Sequence, residues 1–337
     1  MSASAAPPTT THLRPLDDLD AHYQILGPLG SSLTGRSFLA RHRELGRLVI
    51  VKLMHDSAVA RSSRIPHRFE REARALAQVQ HEHVAGLLGY GRTADGRRYM
   101  IVEHVDGRDL RATLQRWGRL PERRALRILD QLGQALGAVH AAGLVHRNLK
   151  PESILIGQSR DGLEIVKLTN FGLVRSDEPK GEGERTRTGP MHGTPRYWSP
   201  EQVLGAPVDA RSDIYAFGVL AYELLTGATP FESSTTEGFA WQHVSLAPPR
   251  PLDAEGRPRL RPETERFLAR CLEKDPAQRF PTMHDARRAL LKLRQRPSAR
   301  RRPDLAQRLA ARARQPETWL VIASAFMAGL LGALIGR

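Results

Sequence analysis

The sequence predicts an α+β fold in which a small lobe rich in β-strands precedes a larger, mainly helical lobe. Short apolar runs separated by turns dominate residues 23–102, a pattern typical of strands. From residue 109 onward, apolar residues recur at helical spacing. Hydrophobic residues make up 40% of the 337 residues, and the 28 glycines and 23 prolines are spread along the chain. This composition excludes collagen-like, coiled-coil and wholly disordered chains.

The first lobe is predicted to contain strands at residues 23–29, 37–41, 48–54 and 99–102, with one helix at 66–80. The second lobe is predicted to contain helices at residues 110–117, 123–142, 212–226, 264–273 and 283–294, and a short helix near 238–243 inside an irregular connection at 233–261. The lobes therefore span residues 21–103 and 107–292 of one domain at 21–292. Residues 1–20 lack the basic and apolar regions of a signal peptide, so they are expected to be a disordered lead.

Charge and cysteine content limit the function classes. The 51 Lys and Arg residues exceed the 36 Asp and Glu residues, a net charge of +15, which favours an anionic partner or surface. Cys271 is the single cysteine, so an internal disulfide and a Cys-rich zinc site are excluded. A reducing compartment is expected, and a catalytic cysteine is weakly supported.

The C-terminal part of the sequence predicts attachment to a membrane. Residues 292–317 carry nine basic and two acidic side chains, and residues 319–336 form an uncharged run of 18 residues. A helix of that length spans about 27 Å, enough for a hydrocarbon core. We expect a basic juxtamembrane linker at 293–317 and a single transmembrane helix at 318–336, with the domain on the cytoplasmic side of the inner or plasma membrane.

Other interpretations of these segments remain open. The apolar run would also suit a buried core helix, and the basic run a nucleic-acid-binding or merely solvated tail, although nucleic acid is the less favoured partner. Small residues recur at every fourth position of the apolar run, a spacing that suits a homodimer through this helix but also arises by chance: Ser324, Ala328, Gly332 and Gly336.

Several short motifs follow one another in a fixed order. They are a glycine-containing turn at Gly30–Gly35, Lys52 in VIVK, HRNLKPES at 146–153, NFG at 170–172, SPE at 199–201, Asp213 in SDIYAFG and Arg279 in KDPAQRF. In this order they resemble the bacterial eukaryotic-like serine/threonine protein kinases over about residues 21–292. The resemblance implies a two-lobed protein-kinase-like fold, and Lys150 with Ser199-Pro200-Glu201 matches the serine/threonine branch.

The resemblance implies a nucleotide site if one is retained at all. Its residues would be Gly30, Gly35, Lys52, Glu72 and Glu103. Glu72 lies where the family's helix supplies the ion-pair partner of the lysine, with Glu70 as the alternative.

The chain departs from the family at the positions that carry chemistry. Asn148 replaces the aspartate that accepts the substrate proton, and an amide has no basic lone pair at neutral pH. Asn170 replaces the metal-binding aspartate and Ser153 the metal-binding asparagine, so no metal is expected at these positions. Ser32 and Ser37 replace a glycine and a valine of the nucleotide roof. Each change alone is compatible with tolerated drift.

A larger side chain also lies where adenine would bind. Ile50 replaces a small alanine and should point to the same strand face as Lys52. Our hypothesis is that Ile50 and Leu155, from opposite lobes, fill this apolar gap and stabilise lobe closure.

Other family positions are retained and look architectural. His146 and Phe171 would stack with Leu76, Asp213 would cap the catalytic-loop backbone, and Glu201 would pair with Arg279. Arg147 is retained as well. Thr186, Thr188 and Thr194 are candidate phosphorylation sites in the segment 170–201, which equally suits a solvated loop.

The sequence therefore predicts a membrane-anchored pseudokinase that serves as a signalling scaffold or allosteric partner of other proteins, with no cofactor. One alternative is an active serine/threonine kinase that uses ATP and Mg²⁺ with a non-standard metal site. A second is a nucleotide-binding switch without catalysis.

Overall fold

The structure is a computed structural model that describes residues 19–31, 35–55, 64–159, 161–169, 194–253, 255–257 and 259–295, with backbone alone at 64–68, 71 and 72. The first lobe begins with a helical turn, α1 (Leu19–His22), followed by β1 (Tyr23–Ser31), β2 (Gly35–His42), β3 (Leu48–Met54), helix α2 (Arg64–Ala77), β4 (Leu87–Arg92) and β5 (Arg98–Glu103). The strands form one antiparallel sheet in the order β1-β2-β3-β5-β4.

The sheet separates two apolar clusters because side chains alternate between its faces. On one face a small cluster contains Leu19, Tyr23, Val49, Val51 and Ile101. On the other face, residues of β3 and β5 join residues of α2 and continue into the core of the second lobe. Leu19 is buried, so the predicted disordered lead is wrong at residues 19 and 20, where an apolar contact with the sheet stabilises a helical turn.

The second lobe surrounds a helix that is apolar on all sides. Its helices are α3 (Leu110–Trp117), α4 (Glu122–Ala141), α5 (Pro200–Leu204), α6 (Ala210–Thr226), α7 (Thr236–Ser245), α8 (Pro262–Cys271) and α9 (Met283–Gln295). Every residue of α6 from Ser212 to Thr226 is buried, as expected for a helix that is apolar around its whole circumference. The polar residues within it therefore need partners inside the lobe.

A second, three-stranded sheet connects the two lobes. It has the order β6 (Arg108–Asp109), β7 (Ile154–Gln158) and β8 (Glu164–Leu168). The Leu168 N–H donates to the His83 carbonyl at 2.8 Å, and the Ala85 N–H donates to the Leu168 carbonyl at 2.9 Å. These backbone bonds join β8 to the segment before β4 and so connect the two lobes.

The predicted strands and main helices are confirmed within about three residues at their ends, while β4 and the β7–β8 hairpin went unpredicted. No helix among the residues that the structure describes is long and apolar enough to cross a membrane. The predicted linker at 293–317, apart from its first three residues, and the predicted span at 318–336 lie outside those residues.

Candidate active site between the lobes

The segment HRNLKPES follows α4 and is shaped by one buried carboxylate. Asp213, on α6, accepts hydrogen bonds from the backbone N–H groups of His146 and Arg147 and from Nε2 of His140, each at 2.8 Å. Burial raises the pKa of Asp213, but the hydrogen bonds and electrostatic interactions with His140 and His146 together lower it, so its pKa lies below the usual range. The predicted capping role of Asp213 is confirmed.

These bonds hold Arg147 in a backbone conformation that L-residues rarely adopt. Its φ is 64°, the one positive φ at a non-glycine residue among those described. Nε2 of Gln202 donates to its carbonyl at 2.9 Å. The loop therefore has a defined course, in which Asn148 is half-buried.

Asn148 and Ser153 are the two replacements of family catalytic residues that lie in the described part of the chain. The Ser153 hydroxyl donates to the Asn148 carbonyl at 3.1 Å, and Ser153 itself is completely buried. The backbone of this turn is thus supported by the replacement serine, while the amide of Asn148 supplies no proton acceptor.

His146, the first residue of HRNLKPES, is fully buried. Its Nε2 donates to the Thr169 carbonyl at 3.0 Å. Burial lowers its pKa, and the positive charge of Lys52 adds to this effect, so the imidazole is neutral at pH 7. Leu76 is also buried, whereas Phe171, the third member of the predicted stack, lies outside the described residues.

Lys52 stands on β3 in a row that crosses the first sheet. The register aligns Gly30 with Ser37, Ser37 with Lys52, and Lys52 with Met100. Burial lowers the pKa of Lys52 to about 8. Its positive charge contributes to the lowered pKa of His146, which indicates that Lys52 lies near the start of HRNLKPES.

The packing of the sheet requires a glycine at position 35, whether or not a phosphate binds there. A Cβ at this position would lie 2.3 Å from the Leu53 carbonyl oxygen, a distance that no side chain permits. At Gly30 a Cβ would have no neighbour within 4 Å. Ser32, which replaces the middle glycine, lies outside the described residues.

Ile50 and Leu155 are both partly exposed. The alternation along β3 does place Ile50 on the same face as Lys52, and Ile50 packs against the main core. Filling of the adenine gap by this pair stays a prediction.

The side chain of Glu103, at the connection between the lobes, forms an ion pair and a hydrogen bond within the protein. Its carboxylate accepts from Lys167 Nζ at 3.0 Å and from the Gly86 N–H at 3.1 Å. Lys167 belongs to β8, so this ion pair spans the two lobes. Sequence reasoning missed Lys167, because nothing local indicates which carboxylate it meets.

Glu70, the alternative partner of Lys52, is better explained by another contact. Its Oε1 pairs with Arg98 Nε at 2.8 Å and with Arg92 Nη2 at 3.0 Å. These contacts account for the Glu70 carboxylate without Lys52, so the structure gives no support to the Glu70 alternative. The Glu72 side chain lies outside the described atoms, and its pairing with Lys52 stays a prediction.

The predicted pair of Glu201 and Arg279 is present and buried. Nη1 and Nη2 of Arg279 donate to the two carboxylate oxygens of Glu201 at 2.7 and 2.8 Å. The guanidinium also donates to the carbonyls of Arg211, Glu273 and Lys274. This bidentate pair anchors the start of α5 to the segment before α9.

Lys150 lies next to one of the candidate phosphorylation sites. Its Nζ donates to the Thr194 hydroxyl at 3.4 Å, and Thr194 is half-buried. Thr186, Thr188 and Asn170 lie outside the described residues.

A half-buried polar network beside the loop was also missed by sequence reasoning. Arg111 donates to Glu223 at 2.7 Å, to Glu152 at 3.1 Å and to the Tyr197 hydroxyl at 2.5 Å. Tyr197 in turn donates to Glu223 at 2.5 Å. The network joins α3, the catalytic loop, α6 and the residues before α5. In the sequence, the one indication of this network was the acidic residue Glu152 within KPES.

The residues of the cleft differ in how well they suit a nucleotide and its metal. The ammonium of Lys52 suits an anionic phosphate group. Positions 148, 153 and 170 provide two amides and a hydroxyl, whereas Mg²⁺ prefers carboxylate and phosphate oxygens. Ser153 is moreover buried within the loop, so these positions do not fit a Mg²⁺ ion held by carboxylates.

Comparison with known proteins agrees with this architecture. A protein kinase domain model matches residues 23–290. Serine/threonine-protein kinase pkn3 of Myxococcus xanthus is 37% identical over 290 residues, covering 86% of this chain and 52% of pkn3. PknA of Mycobacterium tuberculosis (strain ATCC 25618 / H37Rv) is 35% identical over 266 residues, covering 78% and 59%. The chain thus spans about half the length of these relatives.

A similar fold is found among solved structures. The kinase domain of Mycobacterium tuberculosis PknI superposes with a TM-score of 0.60 at 26% sequence identity, covering 81% of this chain and 95% of that chain.

Proposed function

This chain belongs to the bacterial serine/threonine protein kinase family, and we propose that it is a pseudokinase in which phosphotransfer is lost or severely impaired. Its described residues have the two-lobed protein kinase fold. The observation that carries the proposal is the amide at position 148. Hydrogen bonds to Asp213 and from Gln202 shape the loop around it, yet the side chain of Asn148 cannot act as a base. Loss of a general base typically costs about 10²- to 10⁴-fold in rate.

The role that follows is that of a scaffold or an allosteric partner for other signalling proteins. The buried pair of Glu201 and Arg279, the Asp213 cap and the ion pair between Glu103 and Lys167 stabilise the two-lobed shape without contribution from a ligand. A domain of this kind presents a fixed surface to a partner whether or not nucleotide binds.

The test is transfer of the γ-phosphate of ATP to a mixture of serine and threonine peptides. The wild-type chain should transfer no more phosphate than a Lys52→Met variant, which lacks the ammonium of the cleft. A wild-type rate clearly above that of Lys52→Met would overturn the proposal.

The second candidate is an active serine/threonine kinase with a non-standard metal site. The names of pkn3 and PknA favour it, because both relatives are serine/threonine-protein kinases, and Lys52 and Lys150 are retained. Under this candidate the Asn148→Asp/Asn170→Asp variant should be faster than a wild-type chain that already turns over ATP.

A nucleotide-binding switch is distinguished by thermal unfolding with ATP, with and without Mg²⁺. Ligand at 100 times its dissociation constant stabilises a protein by about 2.7 kcal/mol. A shift without phosphotransfer would favour the switch, and no shift in either condition would favour the scaffold.

We also propose, from the sequence of residues 293–336, that the chain is held at the cytoplasmic face of a membrane. Flotation of the full-length chain with liposomes tests this proposal. A chain that stays at the bottom of the gradient would contradict it.

A further inference from the structure

Helices α4 and α9 of the second lobe are joined by polar contacts that follow opposite chain directions along the two helices. Nε of Arg287 on α9 pairs with Oδ1 of Asp130 on α4 at 2.7 Å. Nη2 of Arg261 donates both to Oε1 of Glu122, at 2.8 Å, and to the Leu293 carbonyl, at 3.1 Å. The start of α4 and the end of α9 therefore meet at one place on the surface.

Arginines neutralise every carboxylate that the two helices carry. The two helices contain seven basic and three acidic residues. Glu122 pairs with Arg261, Asp130 with Arg287, and Asp285 with Arg288 at 2.6 Å. Arg124 is likewise paired, with Glu164 of β8 at 2.6 Å.

Among the other basic residues of the two helices, Arg123, Arg127 and Lys292 are exposed. Arg123 and Arg127 are four residues apart and lie on the same helix face. Lys292 precedes Leu293, whose carbonyl is bridged to the start of α4. We name these three residues the basic end surface.

We propose that the basic end surface binds the anionic headgroups of a lipid bilayer. Its excess positive charge complements such a surface, to which each Lys or Arg contributes about 1 kcal/mol. In sequence it is continuous with the basic window at 292–317 and then with the apolar run at 319–336. Folded domain, linker and apolar segment would thus contact one bilayer.

A lipid surface suits these helices better than a nucleic acid. Neither α4 nor α9 contains Phe, Tyr or Trp, and proteins that bind single strands stack bases on such rings. The contact would fix the second lobe against the membrane and leave the cleft and the first lobe to other partners. The proposal does not depend on whether the cleft has lost phosphotransfer.

The experiment uses the full-length chain and two kinds of vesicle, phosphatidylcholine alone and phosphatidylcholine with phosphatidylserine. We expect phosphatidylserine to strengthen binding. The Arg123→Gln/Arg127→Gln/Lys292→Gln variant should lose about 100-fold of this increase, about fivefold per residue. The matched control is Arg41→Gln/Arg47→Gln/Arg266→Gln, which removes the same charge from exposed positions elsewhere and should keep the increase.

Because an apolar segment such as 319–336 binds either vesicle, hydrogen exchange supplies a local measurement. Amides at the start of α4 should exchange more slowly on vesicles with phosphatidylserine than on those without it. Circular dichroism of both triple variants establishes that they are folded.

Three results would overturn the proposal. One is equal exchange at α4 on both vesicles, and another is an equal loss of binding in the two triple variants, which would indicate net charge alone. The third is that duplex DNA, at equal salt, displaces the wild-type chain from the vesicles by binding the basic end surface. None of these outcomes bears on phosphotransfer.

Discussion

The catalytic loop and the polar pairs beneath it differ in how closely they follow the family. At the top of the loop, Asn148 and Ser153 replace the residues that handle the proton and the metal. Beneath it, Asp213 and the pair of Glu201 and Arg279 retain all the contacts that the resemblance implied. The two regions are distant in sequence but meet at HRNLKPES, where Asp213 accepts hydrogen bonds from the backbone next to Asn148.

This difference shows that the architecture of the fold and its chemistry rest on separate residues. The buried groups contribute to the free energy of unfolding because an unpaired partner in the core is costly. The half-buried amide of Asn148 should contribute little to stability, so its replacement is expected to leave the fold intact. Substitutions in the two regions should therefore differ strongly in their effect on the free energy of unfolding.

The largest effect is expected at Arg279, whose side chain is fully buried. Arg279→Met leaves Glu201 as an unpaired buried carboxylate and should cost about 3 to 5 kcal/mol, measured by urea unfolding. The control, Arg257→Met, removes an exposed arginine paired with Asp253 and should leave the midpoint unchanged. Equal midpoints for the two variants would contradict the architectural role of the buried pair.

Asp213→Asn should follow, with a loss of about 1.5 to 3 kcal/mol, because hydrogen bonds to a charged acceptor are stronger than those to a neutral one. The pKa of Asp213 lies below its usual range, so its carboxylate stabilises the fold above the ordinary aspartate pKa. That contribution is lost as pH falls through the pKa in the folded state. Unfolding at neutral and acid pH measures it, and a loss independent of pH would argue against the charge.

Lys52→Met should change stability in the opposite direction. Since burial lowers the pKa of Lys52 from 10.5 to about 8, the charged form is less favourable in the folded chain than in the unfolded one. Removing it should stabilise the fold by about 1 to 3 kcal/mol below pH 8. The gain should fade between pH 8 and 10.5, where the unfolded chain binds more protons and wild-type stability rises.

Thermal unfolding across this pH range tests this gain in stability. A destabilised Lys52→Met variant at pH 7 would instead indicate a strong ion pair, as predicted with Glu72.

The smallest effect is expected for Asn148→Asp. The side chain is half-buried, and this residue bonds within the loop through its backbone, with its N–H donating to the His146 carbonyl and its carbonyl accepting from the Ser153 hydroxyl. The change in the free energy of unfolding should therefore stay within about 0.5 kcal/mol. The same urea titration measures it. A loss as large as that of Asp213→Asn would show that position 148 belongs to the architecture after all.

Much of the fold was predictable because strands and helices have strong local patterns. Helix α3 and strand β3 were predicted at their observed bounds. Strand β4 and the β7–β8 hairpin were missed because Gly89, Gly91 and Gly157 interrupt their apolar patterns. The positions of the candidate site followed from motif spacing, whereas the partners of Glu70 and Glu103 did not.

The sequence by itself determined the order of the two lobes, the excess of basic charge and the chemical identity of positions 148, 153 and 170. These properties are local, since each depends on one residue or on a short window. Only the tertiary structure decided that Glu70 meets Arg98, that Glu103 meets Lys167 across the lobes and that Arg111 joins Glu223. Several carboxylates compete for each cation along the chain, and the packing of the elements selects the one that lies within reach.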